Sequence, residues 1–285
     1  LEEREEYTFR AMDTGNIAHS VLEKFSRRVD DEPEGWSGLT DVRREQLIDA
    51  CVEEVAGDYG GQILKSSARN AYIIMRLKRI MRRTAWALQK QITSGYFRPA
   101  NYEVSFRQVR DLEAVNITLS EEEKLHLQGR IDRIDVCEKE DRVYVKIIDY
   151  KTGQKQFDLL ALYYGRQLQL VAYMNAALEM EKRVHPDKEI IPAGIFYYRV
   201  NDPMPDTGKE PDPAVINDMI LKELKPNGIV NGDPDIYQAM DQSLAPGMRS
   251  AVIPVDLKND GCVSASSKTV TTEQFGLLGT FVNRK

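Results

Sequence analysis

The feature that most constrains this chain is a pair of segments on either side of a polar turn. Gly129-Arg130-Ile131-Asp132-Arg133-Ile134-Asp135 leads into Glu138-Lys139-Glu140-Asp141, and Ile147-Ile148-Asp149-Tyr150-Lys151-Thr152-Gly153 follows. If the turn centres between Glu140 and Asp141, facing residues have numbers that sum to 281. That register sets Val136 against Val145, Ile134 against Ile147 and Asp132 against Asp149, all on one face, because strand side chains alternate. Lys151, two residues past Asp149, shares the face. An apolar ladder thus ends in two carboxylates and an ammonium. Two like charges at cross-strand distance repel unless a cation sits between them. Asp135 falls opposite Lys146 on the other face and reads as a structural ion pair.

Facing carboxylates at the end of a core ladder suit Mg²⁺ or Mn²⁺, which take a few hard oxygen ligands and keep positions for water and a phosphate oxygen. The neighbouring lysine can orient or help deprotonate an attacking water and neutralise charge on a phosphoryl transition state. The competing reading is a buried carboxylate–lysine–carboxylate network without a metal, an arrangement that costs desolvation.

Around this hairpin the sequence reads as helices at 14–28 and 39–58, then a long basic helix over 65–95. Strands follow at 101–109, 113–119, 125–137 and 142–151, then a helix over 157–182 and a strand at 190–200. Residues 201–213 hold four prolines and four acids and read as an exposed loop. A short helix at 213–224, weaker strands at 228–232 and 251–256, and a helix from Thr271 close the chain. Helices feeding a meander, then helix and strand, predict one mixed α/β domain over 1–285. Its expected parts are a helical elaboration (1–98), a catalytic core (99–200) and a completing segment (201–285).

The charge is uneven. The chain has 285 residues and net charge −6, yet the 44 residues between Asp58 and Glu103 contain no acid and nine basic residues. Apolar residues Ile73, Ile74, Leu77, Ile80, Met81, Leu88 and Ile92 follow helical spacing there. Arg69, Arg76, Arg79, Arg83 and Lys90 fall opposite that stripe. A solvated helix face normally mixes signs to gain i,i+4 pairs, so this face is expected to meet a polyanion, namely DNA. A membrane surface fits poorly, since Trp86 and Tyr72 are the helix's only large aromatics. Three cysteines and no apolar run near 18 residues argue against a disulfide scaffold and a membrane span, and the expected compartment is the cytoplasm. The chain begins at Leu1 without a methionine or a signal peptide pattern, which predicts a piece of a longer protein.

Four segments in order carry a resemblance: Gly15-Asn16-Ile17-Ala18-His19, Gly129 to Asp135, Ile148-Asp149-Tyr150-Lys151-Thr152-Gly153, and Gln169-Leu170-Val171-Ala172-Tyr173. Together they resemble the RecB-like branch of the PD-(D/E)XK nucleases, well over residues 8–200 and loosely beyond. The resemblance implies a restriction-endonuclease-like mixed sheet flanked by helices and an Mg²⁺- or Mn²⁺-dependent exonuclease acting on single-stranded DNA. It also implies a helicase–nuclease setting in double-strand break repair and recombination, with a partner subunit. The implied metal ligands are His19, Asp132, Asp149 and the main-chain carbonyl of Tyr150. Lys151 is the implied catalytic lysine, and Gln169 and Tyr173 line the site and touch the strand. By its position alone His19 reads as a surface histidine, off the stripe of Ile17, Val21, Leu22 and Phe25. Arg166, Gln169 and Tyr173 form a polar stripe on the 157–182 helix, with Arg166 expected to contact DNA. Glu103 ends the acid-free window at an early strand position where related nucleases carry an acid, which makes it a candidate ligand or neighbour of the ligands.

Many members of the branch carry a four-cysteine iron–sulfur cluster. Cys51, Cys137 and Cys262 lack that spacing, so a cluster is expected, if anywhere, in the longer protein and not in these residues. No phosphate-binding Gly-x-x-x-x-Gly-Lys-Ser/Thr loop is present. The rival readings are a DNA-binding scaffold without catalysis and a stand-alone or phage exonuclease of the same branch.

Overall fold

The computed structural model describes residues 11–60, 68–106, 112, 116–118, 124–126, 129–205 and 212–283. The helices α1 (Ala11–Asp30), α2 (Gly35–Gly38), α3 (Asp41–Gly60) and α4 (Ala68–Thr93) come first. Strands β1 (Arg98–Ser105), β2 (Asn116–Thr118), β3 (Lys124–His126), β4 (Arg130–Glu138) and β5 (Arg142–Lys151) follow. Then come α5 (Leu159–Tyr163), α6 (Gln169–Val184), β6 (Glu189–Arg199), α7 (Pro213–Glu223), β7 (Asn227–Asn231), α8 (Pro234–Met240), β8 (Thr269–Val270) and α9 (Thr272–Asn283).

Six strands form one mixed sheet in the order β1-β4-β5-β6-β7-β8, while β2 and β3 pair separately. The β4–β5 hairpin has the expected register, from Glu138 opposite Val143 to Arg133 opposite Ile148. β5 and β6 run parallel, joined through α5 and α6. Such a connection must cross the sheet, so helical cover is required. Side chains of β4, β5 and β6 alternate between two cores. On one face Ile134, Ile147, Ile195 and Tyr197 pack with Leu170, Val171 and Met174 of α6 and Phe275 of α9. On the other, Tyr144, Ile148, Tyr150 and Tyr198 pack with Val21, Leu22 and Phe25 of α1, with Ile48 and Val52 of α3, and with Met81 and Leu88 of α4. The fold is a mixed α/β sheet flanked by helices with a helical N-terminal region.

Several elements differ from the reading of the sequence. The helix read over 157–182 is two: Gly165 at φ +74° turns the chain after α5, and α6 starts only at Gln169. Arg166 therefore sits in that turn rather than on a stripe with Gln169 and Tyr173. The strand read over 125–137 is divided between β3 and β4. Residues 251–256 form bends with an isolated bridge from Arg249 to Asp256, not a strand. The short elements α2, α8 and β8 were not foreseen. For α8 a signal existed: Asp233 accepts a hydrogen bond from the Asp235 N–H at 2.9 Å and Pro234 opens the helix. Parts of four expected elements, 65–67, 107–109, most of 113–119 and 127–128, and residues 206–211 of the expected loop lie outside the described residues.

Beneath the hairpin lies a charged cluster that the single Asp135–Lys146 pair only partly foretold. Arg133, 1% exposed, donates to both oxygens of Asp135 at 2.7 and 3.0 Å and to the Tyr150 hydroxyl at 2.8 Å. Lys146 meets Asp135 at 3.0 Å. Burial alone would raise the Asp135 carboxyl, but Arg133 and Lys146 hold it below the usual range. Because the fork and the carboxylate are fully enclosed, the cluster fixes β4 to β5 on the face opposite Asp132 and Asp149.

Candidate active site

The Asp132 and Asp149 end of the hairpin is where elements from both faces of the sheet meet. Asp132 is the next residue along from the Arg133–Ile148 pair, and its Oδ2 accepts the Tyr150 N–H at 2.6 Å. Its Oδ1 lies 3.2 Å from His19 Nδ1, contributed by α1. The same His19 nitrogen is 3.8 Å from Oε1 of Glu103 on β1, and Arg130 Nε is 2.9 Å from the other Glu103 oxygen. Ligating atoms of His19, Glu103 and Asp132 lie within 4.8 Å of one another. The helix stripe that packs Ile17, Val21, Leu22 and Phe25 leaves His19 at its margin, where it reaches around the end of the sheet.

Glu103 is held in an unusual way. It is the only non-glycine residue at positive φ among the described residues, at +51°, in a strand whose pairing with β4 slips between Pro99 and Asn101. Left-handed backbone costs a side-chain-bearing residue about 1–3 kcal/mol. The pairing with β4, Tyr102 opposite Arg133 and Val104 opposite Ile131, sets Glu103 against Asp132, and from there its carboxylate meets His19. Sequence spacing gives no sign of that conformation, although the end of the acid-free window marked the residue.

Asp149 stands beside this cluster rather than in it: its Oδ2 pairs with Lys151 Nζ. Burial, then the negative charge of Asp132, push its carboxyl up to about 6, against the pull of Lys151. Burial opposes the charged form of His19, yet Asp132 and Glu103 outweigh it and hold the imidazole up to about 10. His19, Lys151 and Arg130 are the cationic side chains set against these acids.

On the α6 side, Gln169 donates to the Tyr173 hydroxyl at 2.7 Å. Tyr173 meets Phe106 edge-to-face at 5.3 Å and lies close over Gly129, where an added Cβ would come within 3.0 Å of the hydroxyl. Burial and, to a smaller extent, the charges of Asp149 and Asp132 raise the Tyr173 phenol. The structure therefore brings together His19, Glu103, Asp132, Asp149, Lys151, Gln169 and Tyr173. Arg130, which pairs with Glu103, was not singled out by its spacing, although it stands within the hairpin segment. The cysteines are apart, Cys51 on α3, Cys137 on β4 and Cys262 in the irregular C-terminal segment.

The basic helix is less free than its composition suggests. Lys78 pairs with Glu53 and Arg82 with Asp49, both on α3. Arg79 and Arg83 both approach Asp202, at 2.5 and 3.9 Å. Arg76 and Lys90 are exposed; the Arg69 side chain lies outside the described residues.

A sheet of this order with converging Asp, Asp and Lys at one strand end is the arrangement of a nuclease fold, and the sequence profile of the PD-(D/E)XK nuclease superfamily matches residues 1–255. The chain belongs to that superfamily. Among curated relatives it is similar to the B subunit of the ATP-dependent helicase/deoxyribonuclease of Alkaliphilus metalliredigens, 38% identical over 99% of this chain. The corresponding proteins of Lachnoclostridium phytofermentans and Clostridioides difficile are each 37% identical, over 99% and 98% of this chain. In each case the match covers 24% of the relative, so the chain spans about a quarter of these proteins' length. The homology to the AddB type of helicase/deoxyribonuclease component thus runs over the whole chain. No helix among the described residues is long and apolar enough to cross a membrane.

Proposed function

We propose that the chain is a metal-dependent deoxyribonuclease domain that hydrolyses phosphodiester bonds of single-stranded DNA exonucleolytically. In this reading it is the nuclease part of a cytoplasmic helicase–nuclease with a partner subunit, serving double-strand break repair and recombination. The observation that carries the reading is the meeting of His19, Glu103 and Asp132, from α1, β1 and β4, within 4.8 Å beside the Asp149–Lys151 pair. Three distant stretches of chain converge on one point, at the cost of a positive φ at Glu103 and of acids crowded together. A purely structural network has no need of either.

The donor set fits a hard divalent cation: carboxylate oxygens and one imidazole nitrogen, with an excess of acids that is balanced here by His19 and Lys151. His19, Asp132, Asp149 and the Tyr150 carbonyl would hold Mg²⁺ or Mn²⁺, with Glu103 as a further carboxylate. When bound, such an ion acidifies water and offsets phosphate charge. As a ligand His19 would serve in its neutral form, and Asp149 would turn from Lys151 toward the ion. The Lys151 ammonium would then be placed to hold the attacking water and meet the negative charge that builds on the phosphate. Gln169 and Tyr173, locked to each other, brace the strand beside the scissile group. Arg76 and Lys90 of α4 remain for backbone contact. Arg79 and Arg83 contribute only by exchanging Asp202 for phosphate.

The test is degradation of end-labelled single-stranded DNA in Mg²⁺ or Mn²⁺ by the wild type and Lys151→Met. Loss of at least about a hundredfold in rate is expected for removal of a preorganised cation that meets charge developing in the transition state. Equal cleavage by both would remove Lys151 from the chemistry. DNA binding without cleavage by either protein would leave a scaffold.

A further inference from the structure

The cations that meet no acid point to where the substrate strand lies. On α4, Lys78, Arg79, Arg82 and Arg83 are spent on Glu53, Asp202 and Asp49. The connection from β5 to α6, residues 152–168, is different. It carries Lys155 and Arg166 against one acid, Asp158, and Asp158 already caps α5 by accepting the Leu160 N–H at 2.8 Å. Neither Lys155 nor Arg166 has a carboxylate within ion-pair distance among the described residues. The Lys155 ammonium rests 4.7 Å from the centre of the Tyr197 ring. Tyr197 is the sheet neighbour of Asp149 and is 1% exposed; among the described residues its hydroxyl has no hydrogen-bond partner. An unpaired ammonium is thereby fixed at the edge of the site, one ring away from the Asp149–Lys151 pair.

Beyond Lys155 the segment is rigidly built. Phe157 and Leu162 plug it into the core. Gln167 ties its two strands together, donating to the Gln156 carbonyl at 2.9 Å and accepting the Asp158 N–H at 3.0 Å. Yet its outer face presents Leu160, Tyr163 and Tyr164 at 62%, 62% and 65% exposure. The two tyrosine rings meet edge-to-face at 5.4 Å, and Tyr163 also stacks on Phe281 of α9 at 6.1 Å. Gly165 at φ +74° then turns the chain through Arg166 to Gln169. Both ends of the segment are site residues, Lys151 and Gln169. Exposed aromatic faces held on a stiff base and flanked by unpaired cations match the chemistry of unpaired nucleotides, whose bases stack and whose phosphates need counter-charge. A duplex keeps its base faces hidden, and an apolar protein partner has no use for the cations.

We propose that residues 152–168 form the docking surface for the single strand entering the site, with Lys155 on the phosphate next to the scissile one and Tyr163, Tyr164 and Arg166 carrying the following nucleotides. This rests on the single-strand deoxyribonuclease reading above.

The test is anisotropy titration of a labelled oligo-dT and of a hairpin-closed duplex in EDTA, over a series of salt concentrations. The proteins are the 285-residue chain and its Lys155→Gln, Lys155→Arg, Tyr164→Ala and Arg166→Gln variants, each first checked for an unchanged thermal midpoint. Lys155→Gln and Arg166→Gln should each weaken oligo-dT binding several-fold and flatten its salt dependence by about 0.7 in the logarithmic slope. Lys155→Arg should restore it. Tyr164→Ala should weaken oligo-dT binding about fivefold or more at every salt concentration, without changing the slope or the duplex affinity. Oligo-dT affinities within twofold of wild type for Tyr164→Ala and Lys155→Gln would overturn the proposal and leave this face to a protein partner. Cleavage in Mg²⁺ or Mn²⁺ with unchanged binding in all variants sinks the surface and spares the nuclease reading. Binding that depends on Tyr164 and Lys155 without any cleavage does the reverse.

Discussion

Replacing Asp149 by asparagine should make the metal-free protein more stable, and only above a definite pH. The carboxyl is raised from 3.8 to about 6 by burial and by Asp132. Its folded-state value thus lies above its unfolded one, so ionising it costs the native state and not the unfolded chain. The sign follows: the penalty is absent below about 3.8, grows as pH rises toward 6, and is constant beyond. Two pH units correspond to about 3 kcal/mol with the pull of Lys151 already included, and an amide that fits the site less well than the neutral acid leaves an expected gain of about 1–2 kcal/mol. For a chain of this size that is a rise of about 2–6 °C in thermal midpoint. Scanning calorimetry or circular dichroism of wild type and Asp149→Asn in EDTA, at pH 8 and pH 4, reads it directly. The variant should gain at pH 8 and match or fall below wild type at pH 4. Added Mn²⁺ should reverse the order at pH 8, because only the wild type keeps the second carboxylate and gains stability by binding. A variant that loses stability equally at both pH values would refute the claim that the two acids are held together against their repulsion.

Other consequences concern the supports of the site. Asp135→Ala leaves Arg133 and Lys146 without their shared carboxylate in a fully enclosed position and should cost about 3–5 kcal/mol, seen as a lowered urea midpoint; a loss below about 1 kcal/mol would mean that water reaches the cluster. Glu103→Gly relieves the left-handed backbone but removes a nearly buried carboxylate that meets both Arg130 and His19, so the two effects should leave metal-free stability within about 1 kcal/mol of wild type while Mn²⁺ stabilisation falls. His19 carries its proton up to about pH 10 when no metal is present, so Mn²⁺ binding at pH 8 should release about one proton, measured by calorimetry in buffers of different ionisation enthalpy. Gly129→Ala should push the Tyr173 ring away from Gly129 and slow cleavage while moving the thermal midpoint little; an unchanged rate would take the ring's placement out of the chemistry.

The part of this site that is readable from sequence is the part governed by a period of two. A turn of fixed length and alternating side chains determine that Ile134 meets Ile147 and Asp135 meets Lys146, and those pairs are what the strands form. The same parity puts Arg133 on the face of Asp135, so the signal for the buried cluster was present beside the Asp135–Lys146 pair. Helical periodicity was less decisive. Apolar spacing runs on through Tyr164-Gly165-Arg166, and only the left-handed turn at Gly165 separates α5 from α6. Glu103 could be marked by its isolation among basic residues, but not its backbone, since nothing in a glutamate's neighbours dictates positive φ.

Charge shows the limit most sharply, because a count of residues contains no partners. The window between Asp58 and Glu103 is purely basic, yet its helix lies against Asp49 and Glu53 of α3 and against Asp202 beyond β6, and these acids consume four of its cations. An ion pair between exposed side chains is worth little in stability, so such pairs can open when phosphate is offered. The exchange costs part of what the phosphate contact gains, whereas a cation with no acid to leave keeps the whole of it. The weight of strand contact therefore shifts from the helix with many basic residues to the short connection with two. That connection starts next to Lys151 and ends next to Gln169, which donates to the Tyr173 hydroxyl, so a strand bound along it in the proposed way would be aimed at Asp132 and Asp149.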